Sequence, residues 1–113
     1  MLSIGSQARI FLHAGAIDMR KSFEGLSQIA LEAFDAKLTS AAYFIFLNKR
    51  RDRMKVLYWD GDGLALWYKR LEKGTFIPSE KSPSQIDRRR FFMLLEGVSA
   101  HKFHKRYQLE SRG

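Results

Sequence analysis

A chain of 113 residues suffices for one compact domain and falls short of two, and its 45% hydrophobic, 13% aromatic composition excludes a disordered tail. The absence of cysteine excludes disulfides, thiolate metal sites and cysteine nucleophiles; no apolar run nears the ~18 residues that span a bilayer and no signal-peptide pattern is present, so a cytoplasmic protein is expected. The net charge of +8 is uneven, with residues 1–48 neutral, 49–80 at +3 and 81–113 at +5, the asymmetry expected of a polyanion-binding surface.

In chain order, Arg9-Ile10-Phe11-Leu12 reads as a short strand closed by Ala14-Gly15-Ala16. A helix with Asp18 as N-cap follows, because Met19, Phe23, Leu26, Ala30, Ala33 and Phe34 recur at spacings of three and four. Ala42 to Leu47 is a continuous apolar run of strand length, expected to be a central strand buried on both faces. Arg53 to Trp59 is a second strand, with Met54, Val56 and Tyr58 on one face and Arg53, Lys55, Leu57 and Trp59 on the other. The five residues from Asn48 to Asp52 are of hairpin-loop length, so a hairpin with a basic tip is predicted.

Asp60-Gly61-Asp62-Gly63 is turn chemistry. Leu64, Trp67, Tyr68 and Leu71 then show helical spacing, with Asp62 as N-cap and Gly74 as the terminating glycine. Thr75-Phe76-Ile77 reads as a short strand stopped by Pro78. Ser82, Pro83 and Gln85 form a capping box for a last helix that runs through Arg88-Arg89-Arg90 and Phe91 to Leu95, ending at Gly97. These readings predict a single α+β domain over residues 1–98. Its sheet is mainly antiparallel, with three or four strands and about three helices packed on it, and residues 99–113 form a basic tail.

Lys49, Arg50, Arg51, Arg53 and Lys55 place five cations within seven residues. A two-stranded ribbon is narrow enough to enter a major groove, and cations at its tip can straddle phosphates. The other reading of these charges is a solvated loop that protects a sheet edge from aggregation. Arg20 and Lys21, expected in the first turn of a helix, meet a macrodipole that is already positive; with Ser22 and free backbone N–H groups they suit a phosphate, unless Arg20 pairs with a carboxylate. Lys69 and Arg70 are expected on the outer face of the helix over residues 64–71. Tyr58, Trp59, Trp67 and Tyr68 offer rings for base stacking, although such spacings more often mark core. Asp60 and Asp62 lack a third carboxylate, and His101 and His104 lack further ligands, so neither a metal nor any other cofactor is expected. No phosphate loop, serine elbow or triad is present, and no catalytic residue is assigned.

The stretches IFLHAGAIDMRKSFEGL, FIFLNKRRDRMKVLYWDGDGLALWYKRLEKGTFIP and LLEGV, in this order, resemble the TnpB (second open reading frame) accessory proteins of the IS-sixty-six group of bacterial insertion sequences. The resemblance covers roughly residues 8–98; it departs at Ile77, where an aromatic residue is usual before the proline, and in a C-terminal segment poorer in arginine. It implies a role in transposition beside a separate, larger transposase that carries the catalytic acidic residues. The combined expectation is a non-enzymatic accessory protein that binds nucleic acid, with duplex DNA at the element's ends the favoured target. Its phosphate contacts would come from Arg20, Lys21, Lys49, Arg50, Arg51, Arg53, Lys55, Lys69 and Arg70. A module that contacts the transposase and touches DNA only weakly is the alternative, and a metal-dependent nuclease using Asp60 and Asp62 a third reading.

Overall fold

The computed structural model describes residues 4–5, 7–34, 41–78 and 84–96. Five strands, β1 (Arg9–Ala16), β2 (Ala42–Leu47), β3 (Arg53–Trp59), β4 (Leu64–Arg70) and β5 (Ser84–Ile86), form one sheet in the order β4-β3-β2-β1-β5. Helices α1 (Phe23–Phe34) and α2 (Arg88–Leu95) cover its two faces. The α+β expectation holds in outline, but the strands are more numerous and the described helices fewer than expected. Three of the four strand pairings are antiparallel, whereas β1 and β2 run parallel with α1 as the connection between them.

Strand alternation sorts the apolar residues into two cores. Ile10, Leu12, Ile45, Leu47, Met54, Val56 and Ile86 meet Phe91, Leu94 and Leu95 of α2 on one face. Phe11, Phe44, Phe46 and Leu57 meet Leu26 and Ala30 of α1 on the other. β2 is therefore buried on both sides, as its unbroken apolar run implies. The side-chain alternation expected for β3 is also found, with Met54, Val56 and Tyr58 toward α2 and Leu57 toward α1.

Several boundaries differ from expectation. The sequence Ala14-Gly15-Ala16 does not close β1. The register slips between His13 and Ala16, and the strand passes through the irregularity to Ala16; just beyond it the Ile17 N–H donates to Leu47 O at 2.9 Å. Asp18 does not cap α1. The first helical bond runs from Leu26 N to Ser22 O at 2.9 Å, so Arg20 and Lys21 lie in a turn before the helix, closed by Lys21 N donating to Asp18 O at 3.1 Å. Residues 64–70 form an edge strand instead of a helix. Their apolar positions satisfy both periods, and pairing with β3 satisfies a row of backbone groups that a helix there would leave open on β3. Gly61, at φ 77°, serves the β3–β4 turn, where Asp60 N donates to Gly63 O at 2.8 Å, so Asp62 caps no helix.

Thr75 to Ile77 is irregular backbone; Phe76 is fully buried against the α2-side core, and its N–H donates to Arg51 O at 2.7 Å. Ser84 to Ile86 pairs with β1, and the N-cap of α2 is Asp87, whose Oδ1 accepts from Arg90 N at 2.7 Å. The remainder of the expected capping box, Ser82 and Pro83, the stop at Gly97 and the tail 99–113 lie outside the described residues.

Candidate nucleic-acid interface

The carboxyl ends of parallel strands lie at the same end of a sheet. The chain leaving β1 and the chain leaving β2 therefore emerge side by side, bringing the turn at residues 17–21 next to the hairpin tip at residues 48–52. Ligand crevices in sheets with parallel strands commonly lie outside such carboxyl ends. Here the two loops enclose a shallow, open cleft of about 400 Å³ lined by Ile17, Asp18, Met19, Arg20, Asn48, Lys49, Arg50 and Arg53. Among the described residues, four cations thus line it against the single carboxylate of Asp18.

The hairpin tip is organised by Asn48. Its Nδ2 donates to Asp52 Oδ1 at 2.6 Å, and its Oδ1 accepts from Arg53 N at 3.0 Å. Arg51 N closes the turn onto Asn48 O at 3.1 Å, and Arg51 itself adopts φ 58°, the left-handed region. The amide of Asn48, then the backbone N–H of Asp52 itself and the fields of Arg50 and Arg53, hold the Asp52 carboxyl below its ordinary pKa. Bonds from Leu71 N to Asp52 O at 2.8 Å and from Phe76 N to Arg51 O tie the tip to the chain beyond β4. The basic loop is therefore backed by hydrogen bonds along its own length.

Across the cleft, Arg20 grips Asp18. Its Nε donates to both carboxylate oxygens at 3.0 and 3.1 Å and its terminal nitrogen to Oδ2 at 2.7 Å. Arg20 N also donates to Asp18 Oδ1 at 2.9 Å, and these bonds lower the carboxyl pKa to about 2. The side chain of Arg20 remains 91% exposed, so pairing does not withdraw it from solvent.

The structure divides the nine cations singled out from the sequence. Arg20, Lys49, Arg50 and Arg53 share the cleft. Arg70 pairs in register with Arg53 on the same face and extends the charge onto β4, with only a loose 3.9 Å contact to Glu72. Lys21 and Arg51 are exposed beside the cleft but do not line it.

Two of the nine are differently employed. Lys55 is 7% exposed, so it is no surface phosphate contact; its Nζ donates to Met19 O and Lys21 O, both at 2.8 Å, and stands 5.0 Å from the ring centroid of Tyr68. A buried ammonium must find such partners, and here they fasten the 18–21 turn to the sheet. Lys69 points to the opposite face and donates to Leu95 O at 3.3 Å, where a cation suits the end of α2. The sequence pattern alternates Lys69 with Arg70, but a helical assignment hides that a strand sends neighbours to opposite sides. The ordering role of Asn48 was the other feature not assigned from chemistry alone, although an Asn opening a hairpin loop is a known turn signal.

Among the aromatics, Tyr58 stacks on Tyr43 with centroids 5.1 Å apart, and it and Trp67 pack at the rim of the α2-side core. Trp59 is half-buried. Tyr68 alone of this group is exposed. Among the described residues no three His, Asp or Glu side chains stand close enough to hold a metal ion, and no helix is long and apolar enough to cross a membrane.

A five-stranded sheet with a helix on each face and an open, cation-lined cleft at one end defines a small basic α+β domain. The family model for IS66 (IS-sixty-six) Orf2-like proteins matches residues 8–105, and the chain belongs to this family of insertion-sequence accessory proteins. It is similar to the uncharacterized protein y4jC of Sinorhizobium fredii (strain NBRC 101917 / NGR234), 33% identical over 92 residues that cover 80% of this chain and 79% of the relative. It is also similar to the uncharacterized protein y4hO of the same organism, 31% identical over 105 residues, 87% of each chain. No solved structure matches it.

Proposed function

We propose that this protein is a non-catalytic transposition accessory factor that binds DNA at the ends of its insertion sequence through the cleft between residues 17–21 and 48–53, and assists the element's transposase there. The observation that carries this reading is the meeting of Arg20 with Lys49, Arg50 and Arg53 at the shared end of the parallel strands. Cations far apart in the chain are held by ordered loops around a concavity open enough for a phosphodiester backbone. Phosphate contacts of this kind supply affinity and position more than base specificity. Recognition of a particular end sequence would therefore depend on additional contacts or on the transposase.

Gel-shift titration of element-end duplex and unrelated duplex at low and moderate salt tests the reading. Affinity should fall steeply with salt, because each neutralised phosphate contributes a slope of about −0.9 in log K against log salt. The combined Arg50→Ala, Arg51→Ala and Arg53→Ala variant should bind at least about tenfold more weakly and lose about two to three units of that slope, with its melting temperature nearly unchanged. Equal affinity of variant and wild type would sink the assignment of the hairpin. In the same mixtures supercoiled plasmid with magnesium should stay intact. Capture of the transposase by the purified protein in nuclease-treated, high-salt buffer tests the partnership separately.

A further inference from the structure

We infer that Tyr68 is a stacking platform for an unpaired base, so that the basic cleft takes a single-stranded or locally opened nucleic-acid strand in preference to intact duplex; this deepens the DNA-binding reading above and rests on it. Four observations meet at this ring. Tyr68 is 48% exposed on a strand whose other aromatic, Trp67, faces the core. Its position is braced by Lys55, whose Nζ lies 5.0 Å from the ring centroid and is itself locked by two backbone carbonyls. Lys55 and Tyr68 are register partners, as are Arg53 and Arg70, one side-chain repeat away on the same face. Arg53 in turn lines the cleft with Arg20, Lys49 and Arg50.

The resulting surface is a strand-borne ring beside a row of guanidinium groups. Two strand residues advance about 7 Å, so a base seated on Tyr68 leaves its sugar-phosphate within reach of Arg70 and Arg53. Aromatic rings on sheet surfaces beside basic grooves are how many proteins hold single strands, because every base offers a π-face whatever its sequence. A duplex buries those faces in its own stack and leaves a ring on a flat sheet only sugar and phosphate to touch. A braced ring also loses little rotamer freedom on binding.

The test compares a labelled oligothymidylate of about 12 nucleotides, within the site size of small single-strand binders, with a blunt duplex of equal length. Wild type, Tyr68→Ala, Tyr68→Phe and the Arg50/Arg51/Arg53 triple-alanine variant are each titrated at one moderate salt concentration. The wild type should favour the single strand. Tyr68→Ala should bind it about 5- to 100-fold more weakly while its duplex affinity stays within about twofold, and Tyr68→Phe should match wild type. Circular dichroism and melting curves establish that both Tyr68 variants are folded. Unchanged single-strand affinity in Tyr68→Ala overturns the inference, as does a parallel loss toward both ligands or a wild type that favours duplex. None of these touches the broader reading, which falls if the wild type binds neither ligand or if the triple-alanine variant binds both as wild type does.

Discussion

Among the described residues Asp18 is the one acid lining the cleft, and its bond to Arg20 offsets part of the positive charge a ligand meets there. The carboxyl pKa is lowered from 3.8 to about 2, so the pairing is complete above the unfolded value and is lost as pH falls through about 2. An NMR titration should therefore find the Asp18 midpoint near 2, moving up toward the ordinary value in Arg20→Ala; an unmoved midpoint would show that the fork is absent in solution. Because both groups are solvent-exposed, the pair governs charge at the site far more than fold stability. Asp18→Asn keeps an oxygen for the bonds from Arg20 N and Nε but removes the opposing negative charge, so the same physics requires tighter DNA binding from that variant.

Secondary-structure elements meet the site through Lys55. Its place on β3 lets one ammonium hold two carbonyls of the turn before α1, so the cleft's two walls are joined through the sheet. Lys55→Met keeps the unbranched apolar stem but leaves Met19 O and Lys21 O without the Lys55 donor. It should destabilise the fold by about 1–3 kcal/mol in urea titrations and also weaken DNA binding, although Lys55 itself is too buried to reach a phosphate. A folded Lys55→Met protein with wild-type affinity would mean that the position of the 18–21 turn does not matter for binding. Helix α1 supplies the crossover that makes β1 and β2 parallel, and so brings the two loops to one end of the sheet.

At the scale of the molecule, the sheet has two sides with different work. Arg70 lies on the α1 side with Arg53 and Tyr68, while Lys69, its neighbour in the chain, reaches the end of α2 on the opposite side. Arg70→Gln should therefore weaken DNA binding severalfold and reduce the salt slope by about one unit. Lys69→Gln should leave both nearly unchanged and cost at most about 1 kcal/mol of stability in thermal melts. The reverse pattern would place the nucleic acid on the α2 face.

Much of this is legible in the sequence. Ala42 to Leu47 has the length and unbroken apolar character expected of a strand buried on both faces, and the charges between Asn48 and Lys55 marked a basic hairpin, because pattern and composition act locally. The segment from Leu64 to Arg70 was not legible, since Leu64, Trp67, Tyr68 and Leu71 fit a helix as well as a strand and only the open edge of β3 decides between them. The early helix start at Asp18 failed for a related reason. An aspartate followed by apolar spacing looks like a cap, but the Asp18 side chain is engaged by Arg20 and the helical ladder begins at Ser22.

The chain's own order of residues was thus enough to establish the family, the α+β class and a basic hairpin. Tertiary structure alone decided which cations share a surface. The parallel pairing of β1 and β2 joins Arg20 to Arg50, strand alternation keeps Arg70 and removes Lys69, and burial turns Lys55 from a contact into a brace. Charge is a property of residues one at a time, whereas a binding surface depends on where strands end and which way each side chain points.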